Sequence, residues 1–299
     1  MITVLGSANL DLIGTVSRIP KPGETVPGGA FSTAAGGKGA NQALAARRAG
    51  ATVRMYAAVG DDDFAKAATA ELVAGGVDMS NVPNVEGMAT GIAMIFVDGQ
   101  GENVIAILPG ANATMDASRA EVALAGMQAG DVLLLQQEIP QAATERALDL
   151  ARAKGVTTIL NTAPFLDTTP ALAPKASIVI ANETEFALMA GDAAPLEALM
   201  RQWAATHGQT IIVTLGPEGA RAATPESFIS VPALKVEPVD TVGAGDTFCG
   251  YLGAGLDAGL GLEAAMQRAA VAASLACLKP GAQPAVPMAE EVERALASL

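Results

Sequence analysis

The sequence predicts a doubly wound α/β fold, a mostly parallel sheet with helices on both faces, joined by a small β-sheet. Three observations carry this reading. The runs Val132–Leu135, Val156–Leu160, Ile178–Ile180 and Ile211–Leu215 are almost wholly apolar, as strands covered on both faces must be. Helical stretches lie between them at Gln141–Lys154, Glu183–Met189 and Leu196–His207, the alternation that builds a parallel sheet through crossover helices. Two segments, Asp11–Thr33 and Thr90–Ile107, break that rhythm with strand-like alternation between Pro and Gly residues.

In chain order, Ile2–Gly6 is a short apolar strand and Gly39–Ala49 an Ala-rich helix. Thr52–Val59 reads as the next strand and Phe64–Ala74 as the next helix. Within the second irregular segment, Ile92–Val97 and Asn103–Ile107 flank Asp98-Gly99-Gln100-Gly101. Asp-Gly between apolar runs signals a hairpin. The two irregular segments, 11–33 and 90–107, are therefore expected to form a small sheet projecting from one domain that spans 1–299. Ser118–Gly130 follows as a helix, and Leu262–Leu278 and Ala289–Leu299 close the chain as helices.

Composition narrows the function classes. The chain of 299 residues is 51% hydrophobic, far above what a disordered chain carries. With 31 acidic against 18 basic side chains the net charge is −13, which argues against nucleic acid as a partner. One Trp, two Tyr and seven Phe leave little for base stacking. The two cysteines, Cys249 and Cys277, stand in no metal-ligand spacing, and a reducing cytoplasm is the expected compartment. Met1–Leu12 lacks a basic start and reaches Asp11 before a long apolar run develops, so it reads as a strand rather than a signal peptide. Tyr251–Leu278 is broken by Asp257, Glu263 and Arg268, so no membrane span is expected.

The most informative stretch is Asp240-Thr241-Val242-Gly243-Ala244-Gly245-Asp246-Thr247-Phe248. Small residues entering a helix let a ligand approach the backbone, and the exposed N–H groups favour an anion. Asp246 would sit in the first helical turn. An acid there either complements the helix dipole or orients and deprotonates an attacking hydroxyl. Gly36-Gly37-Lys38-Gly39-Ala40-Asn41-Gln42 is a second glycine turn before a helix. Its Lys38 is one of seven lysines, and it suits a phosphate or sugar hydroxyl as well as a solvated helix start. No Gly-Lys-Ser or Gly-Lys-Thr is present there, so this is not a Walker A loop. Gly259–Ala264 matches Gly-x-Gly-x-x-Ala but follows a helix instead of a strand, which removes the dinucleotide reading.

Asn9 and Asp11 follow the first strand, where open α/β sheets place ligand groups. An amide beside a carboxylate suits vicinal hydroxyls, although a plain strand-end cap explains the pair too. Asn182-Glu183-Thr184-Glu185 has capping-box spacing, and its carboxylates also suit water-mediated Mg²⁺. Thr214-Leu215-Gly216-Pro217-Glu218-Gly219 is a strand-end turn open to a nucleotide. His207 is the only histidine, at a helix end, so Ser-His-Asp chemistry is excluded.

Taken in order, Gly-Ser-Ala-Asn-Leu-Asp at 6–11, Pro-Gly-Glu-Thr at 22–25, Gly-Gly-Lys-Gly-Ala-Asn-Gln-Ala at 36–43, Gly-Glu-Asn-Val-Ile at 101–105, Asn-Glu-Thr-Glu at 182–185, Asp-Thr-Val-Gly-Ala-Gly-Asp-Thr-Phe at 240–248 and Lys-Pro-Gly-Ala-Gln-Pro at 279–284 form one set. In these motifs, and along almost its whole length, the chain resembles the ribokinase (phosphofructokinase-B type) family of carbohydrate kinases. The resemblance implies a ribokinase-like fold and ATP-dependent phosphorylation of the primary hydroxyl of a pentose, with D-ribose first.

By the same resemblance, Asn9, Asp11, Gly37, Lys38, Asn41 and Glu138 would hold the sugar, with Ala93 and Ile105 on the lid touching its apolar face. Asn182, Thr214, Gly216, Gly219 and Ala270 would line the nucleotide, and Glu185 would hold Mg²⁺ through water. Gly243, Ala244 and Gly245 would form the anion hole and Asp246 would be the base. A K⁺ activator would lie between Asp240, Val242, Ala276, Lys279, Gly281 and Ala285, where Ala285 replaces a serine of several members. The lids would pair in a homodimer. Few basic residues in the substrate motifs argue against a sugar-phosphate acceptor, and few aromatics against a nucleoside. A silent sugar sensor on the same fold is countered by the intact Asp246 and its glycine turn.

Overall fold

The computed structural model describes residues 1–299. In chain order its strands are β1 (Ile2–Leu5), β2 (Asn9–Val16), β3 (Gly28–Gly36), β4 (Val53–Tyr56), β5 (Val59–Gly60), β6 (Asp78–Asn81), β7 (Asn84–Val85), β8 (Gly91–Val97), β9 (Asn103–Leu108), β10 (Val132–Leu135), β11 (Thr157–Asn161), β12 (Ile178–Asn182), β13 (Thr210–Thr214), β14 (Ala220–Ala223) and β15 (Phe228–Val231). The helices are α1 (Lys38–Arg48), α2 (Asp63–Gly75), α3 (Ala117–Ala125), α4 (Gln141–Lys154), α5 (Thr169–Leu172), α6 (Glu183–Ala190), α7 (Leu196–His207), α8 (Ala244–Asp257), α9 (Leu262–Ala276) and α10 (Ala289–Leu296).

Nine strands form one sheet in the order β15-β14-β13-β12-β11-β10-β1-β4-β6. All neighbours pair parallel except β13-β14 and β14-β15, which add an antiparallel edge. The period-2 alternation of buried strand side chains divides the core into two layers. Ile2, Val4, Val132 and Leu134 pack with Leu44 of α1, Leu252 of α8, Met266 of α9 and Val292 of α10. Leu5, Leu133 and Leu135 pack on the opposite face with Leu124 of α3, Leu148 of α4, Phe186 of α6 and Trp203 of α7. Truncating any such buried leucine to alanine costs about 2–5 kcal/mol.

The expected helices Gln141–Lys154 and Leu196–His207 form with those bounds, each stopped by a left-handed glycine, Gly155 and Gly208. The helix expected over Ser118–Gly130 is shorter. It starts on the Asp116 cap and ends at Gly126, whose missing side chain offers the helix nothing to bury. Thr52–Val59 splits into β4 and the short β5, which pairs with β7 in a sheet of its own. No helix is long and apolar enough to cross a membrane.

The two irregular segments meet as a separate four-stranded sheet, β3-β2-β8-β9. Its register aligns Asp11 with Ala34 and Ala93, and Ile95 with Ile105. Pleating then puts Asp11, Ala93 and Ile105 on one face, with Phe31, Met94 and Val104 on the other. The hairpin forms where Asp-Gly predicts it, with the Asp98 carboxylate accepting from the N–H groups of Gln100 and Glu102.

Candidate active site

Strand order reverses between β1 and β10, because the chain builds β4 and β6 on one side and β11 to β13 on the other. Open α/β sheets hold ligands at the carboxyl ends of the strands flanking that point. Here those ends continue into Gly6-Ser7-Ala8 and Gln136-Gln137-Glu138. Ser7 Oγ donates to Glu138 Oε2 at 2.5 Å, and the Lys38 backbone N–H donates to the same oxygen at 2.9 Å. Glu138 thus sits at the amino end of α1, where helix partial charge favours an anion. Gly37 caps α1 at φ 88° and Gly243 caps α8 at φ 77°, backbone conformations that side chains other than glycine rarely adopt.

Asn9 Oδ1 accepts from Asn112 Nδ2 at 2.8 Å, and Asn112 is held in turn by the N–H and carbonyl of Ala8. That fixes the Asn9 amide with its Nδ2 unengaged. The Asp11 carboxylate accepts no hydrogen bond from the protein, and the Lys38 ammonium makes none. Asp11 has its pKa pushed up to about 6, first by burial and then by the charges of Glu138 and Asp246, with Lys38 partly offsetting them. The Lys38 pKa is raised, chiefly by Asp246 and further by Glu138 and Glu185, so the lysine stays charged. Asn9, Asp11 and Lys38 therefore present polar groups that no protein partner satisfies, open to a ligand.

Asp246 lies in the first turn of α8 and is 6% exposed. Asn41 Nδ2 donates to its Oδ2 at 2.9 Å and Gln42 Nε2 to its Oδ1 at 3.0 Å. The N–H groups of Gly243, Gly245 and Asp246 find no protein acceptor, whereas the Ala244 N–H reaches Thr241 O at 3.3 Å. Three free donors beside a buried carboxylate are chemically suited to receive an anion next to a proton acceptor.

Asn182 and Thr214 are register partners at the ends of β12 and β13. The expected capping box is present. Asn182 Oδ1 accepts from Glu185 N at 2.8 Å, and Glu185 Oε2 accepts from Asn182 N at 3.0 Å and from Thr162 Oγ1 at 2.8 Å. Glu185 Oε1 stays unengaged, so the cap and a water-mediated metal contact are compatible. Gly216 and Gly219 close a turn after β13 through Gly219 N to Gly216 O at 3.0 Å. Ala270 does not join this surface; it is 4% exposed and packs in the core layer of α8 and α9.

Asp240 bridges two loops. Its carboxylate accepts from Val242 N at 3.0 Å and from Gly281 N at 2.8 Å. The carbonyls of Val242, Lys279 and Gly281 accept no hydrogen bond, and the Lys279 ammonium pairs with Glu291 at 3.5 Å. One carboxylate among free carbonyls fits a large monovalent cation, and Lys279 does not occupy that place. Ala276 and Ala285 flank the loop, fully buried.

Sequence reasoning passed over four of the residues that fix this site: Gln42, Gln136, Gln283 and Asn112. Two of these, Gln42 and Gln283, lie inside the motifs at 36–43 and 279–284. Their partners stand far away in sequence, so only the fold assigns them a task.

The family model for pfkB family carbohydrate kinases matches residues 1–289. The chain is 37% identical over 295 residues to a ribokinase of Bacillus subtilis (strain 168), covering 99% of each. It is 33% identical over 297 residues to a deoxyribokinase of Salmonella typhi, covering 97% of this chain and 96% of that one. Among solved structures, an Arabidopsis thaliana ribokinase complexed with ribose and ATP superimposes with a TM-score of 0.87 at 29% identity, covering 99% and 98%. On the match to residues 1–289 and the full-length relatives, the chain belongs to the pfkB family of carbohydrate kinases.

Proposed function

We propose that this enzyme transfers the γ-phosphoryl group of ATP to the 5-hydroxyl of D-ribose, giving ribose 5-phosphate. The observation that carries this reading is the pairing of two half-sites around Asp246. On one side lie the free N–H groups of Gly243, Gly245 and Asp246, able to receive the charge of a transferring phosphoryl group. On the other lie the unsatisfied Asn9 amide, Asp11 carboxylate and Lys38 ammonium, able to receive sugar hydroxyls. Asp246 between them aligns the attacking hydroxyl. Transfer through a loose transition state places little demand on base strength and much on alignment.

Asp11 accepts from two vicinal hydroxyls, with Asn9 donating beside it and Ala93 and Ile105 lining the apolar face of the sugar. Asn182, Thr214 and Gly216 line the nucleotide. Glu185 would hold Mg²⁺ through water, and the ion would supply neutralisation of phosphate charge. The loop between Asp240 and Gly281 suits K⁺. The small sheet acts as a lid, and the apolar side chains it exposes support a homodimer through the lids. The free cysteines Cys249 and Cys277 agree with a reducing cytoplasm.

The test is ADP release with a panel of ribose, 2-deoxyribose, other pentoses, ketoses and nucleosides. An Asp11 carboxylate left partly unpaired by 2-deoxyribose costs about 1–3 kcal/mol, so ribose is expected to lead by roughly tenfold in kcat/KM. Asp246→Asn is expected to lose about 10²–10⁴ in kcat while sugar binding survives. Equal efficiency on 2-deoxyribose removes the ribose assignment, and near-normal kcat in Asp246→Asn removes the base.

A further inference from the structure

Two chains of buried amides converge on Asp246, one on each carboxylate oxygen. In the first, Gln136 Nε2 donates to Gln42 Oε1 at 2.7 Å, and Gln42 Nε2 donates to Asp246 Oδ1 at 3.0 Å. In the second, Gln283 Nε2 donates to Asn41 Oδ1 at 3.1 Å, and Asn41 Nδ2 donates to Asp246 Oδ2 at 2.9 Å. Gln42 and Gln136 are each 1% exposed and Gln283 is 0%.

An amide has a donor end and an acceptor end, and either could face the carboxylate were it free to turn. The outer glutamine in each chain occupies the acceptor end of the inner amide. The donor end is thereby turned toward Asp246, Gln42 Nε2 also reaching Asn161 Oδ1 at 3.3 Å. With both oxygens pinned from different directions, the carboxylate plane cannot rotate about its side chain. Each oxygen keeps a further lone pair for a hydroxyl proton, so the pinning does not block the base.

The arrangement costs stability for orientation. Gln136 Oε1 and Gln283 Oε1 are buried without any partner, which burial in an apolar side chain would avoid. The anchors are also distinct. Gln136 follows β10 at the point where strand order reverses, and Gln283 lies on the loop that Gly281 ties to Asp240. We infer that Gln42, Gln136 and Gln283 are positioning residues that fix the carboxylate plane of Asp246 for attack by the substrate hydroxyl. This rests on the reading of Asp246 as the base given under Proposed function.

Gln42→Met and Gln283→Met keep the side-chain volume and remove the amide. Each is expected to lower kcat by about 10–100-fold, the scale of a misplaced reacting group, with KM for ATP within twofold and Tm within a few degrees. Repeated in an Asp246→Ala background with radiolabelled ATP and high enzyme, either substitution should change the residual rate less than twofold. Single variants with kcat within twofold of the parent, or an undiminished fold-loss in the Asp246→Ala background, overturn the inference. Side-chain amide NMR reads the same links without turnover. The Gln42 and Asn41 NH₂ signals should move in Asp246→Ala, and the Asn41 signal in Gln283→Met. If the parent phosphorylates no sugar, the functional reading fails and the NMR shifts alone decide the relay. Unmoved signals overturn it.

Discussion

Gly250 of α8 lies so close to α1 that a Cβ built on it would stand 2.5 Å from the Ala45 Cβ and 2.6 Å from the Gln42 carbonyl oxygen. This contact sits one helical turn beyond Asp246, and Gln42 is one of the two amides that hold Asp246. The small residues of the Gly-Gly-Lys-Gly-Ala-Asn-Gln-Ala motif therefore do two things. They leave the amino end of α1 free of side chains at Gly37 and Gly39, and they let its shaft reach α8 closely enough for side-chain amides to bridge the two helices. Gly250→Ala should push the helices apart. Helix propensity returns about 1 kcal/mol to alanine, but overpacking of a tight core costs roughly 1–3 kcal/mol. The expected outcome is a lower Tm by differential scanning calorimetry and a fall in kcat larger than any change in KM for ATP. Unchanged kcat would show that α1 can shift without moving Asp246.

The proposed dimer gives a second test. Phe31 is 70% exposed, and Met94, Val104 and Leu108 are also exposed on the face of the small sheet away from Asp11. A four-stranded sheet bare on that face and open at its edges invites a partner. Phe31→Asp places a charge on that face at its β3 edge. It is expected to shift sedimentation from dimer toward monomer and to raise KM for ribose several-fold, because the lid loses its support. A parent chain that already sediments as a fully active monomer removes the lid-pairing idea.

The large sheet and the helices with capped or glycine-terminated ends were legible because local chemistry determines them. Leu196–His207 shows apolar periodicity, a proline start and Gly208 as its stop. The edge strands β14 and β15 were not legible. Ala220-Arg221-Ala222-Ala223 contains no β-branched or aromatic residue, and it is a strand only because β13 offers it an open edge. The site divides in the same way. Asp246, Lys38 and Asp11 stand out from motif and position, whereas Gln136 and Gln283 gain meaning only from partners 94 and 242 residues away. Ala270 shows the reverse, a residue that the family resemblance puts at the nucleotide while its methyl packs in the core.

The proposed cation site gives the third test. Asp240 and the free carbonyls of Val242, Lys279 and Gly281 suit a weakly hydrated monovalent ion better than Mg²⁺, which retains its waters reluctantly shed. Ala285 removes one neutral ligand without removing the charge, so affinity should fall while selectivity persists. Activity in KCl should exceed that in choline chloride at equal ionic strength, with NaCl below KCl. Asp240→Asn should abolish the difference. No rise in kcat over the choline control would remove the site.

The last test follows from Asp11, whose pKa is pushed up to about 6 by burial, by Glu138 and by Asp246. In the proposed reading its ionised form accepts from sugar hydroxyls, so KM for ribose should climb as pH falls below about 6, roughly tenfold per unit at the limit. The sign for stability is opposite. A carboxyl group with a raised folded-state pKa binds its proton more tightly folded than unfolded. Its ionisation therefore weakens the fold, and that loss grows between the unfolded value of about 4 and the folded value of about 6, then stays constant. A shift of this size corresponds to at most about 3 kcal/mol, and partial solvent access to the carboxylate brings it nearer 1–2 kcal/mol. Asp11→Asn should accordingly raise Tm at pH 8, leave it unchanged near pH 3.5, and abolish high-affinity ribose binding at every pH. The substitution removes a charge that the unliganded fold tolerates at a cost. Equal Tm for the two proteins at pH 8 would show that the Asp11 carboxylate is not held at a cost in the unliganded enzyme. A flat KM between pH 5 and 8 would show that Asp11 stays ionised across that range, and undiminished ribose binding in Asp11→Asn would remove it from sugar recognition.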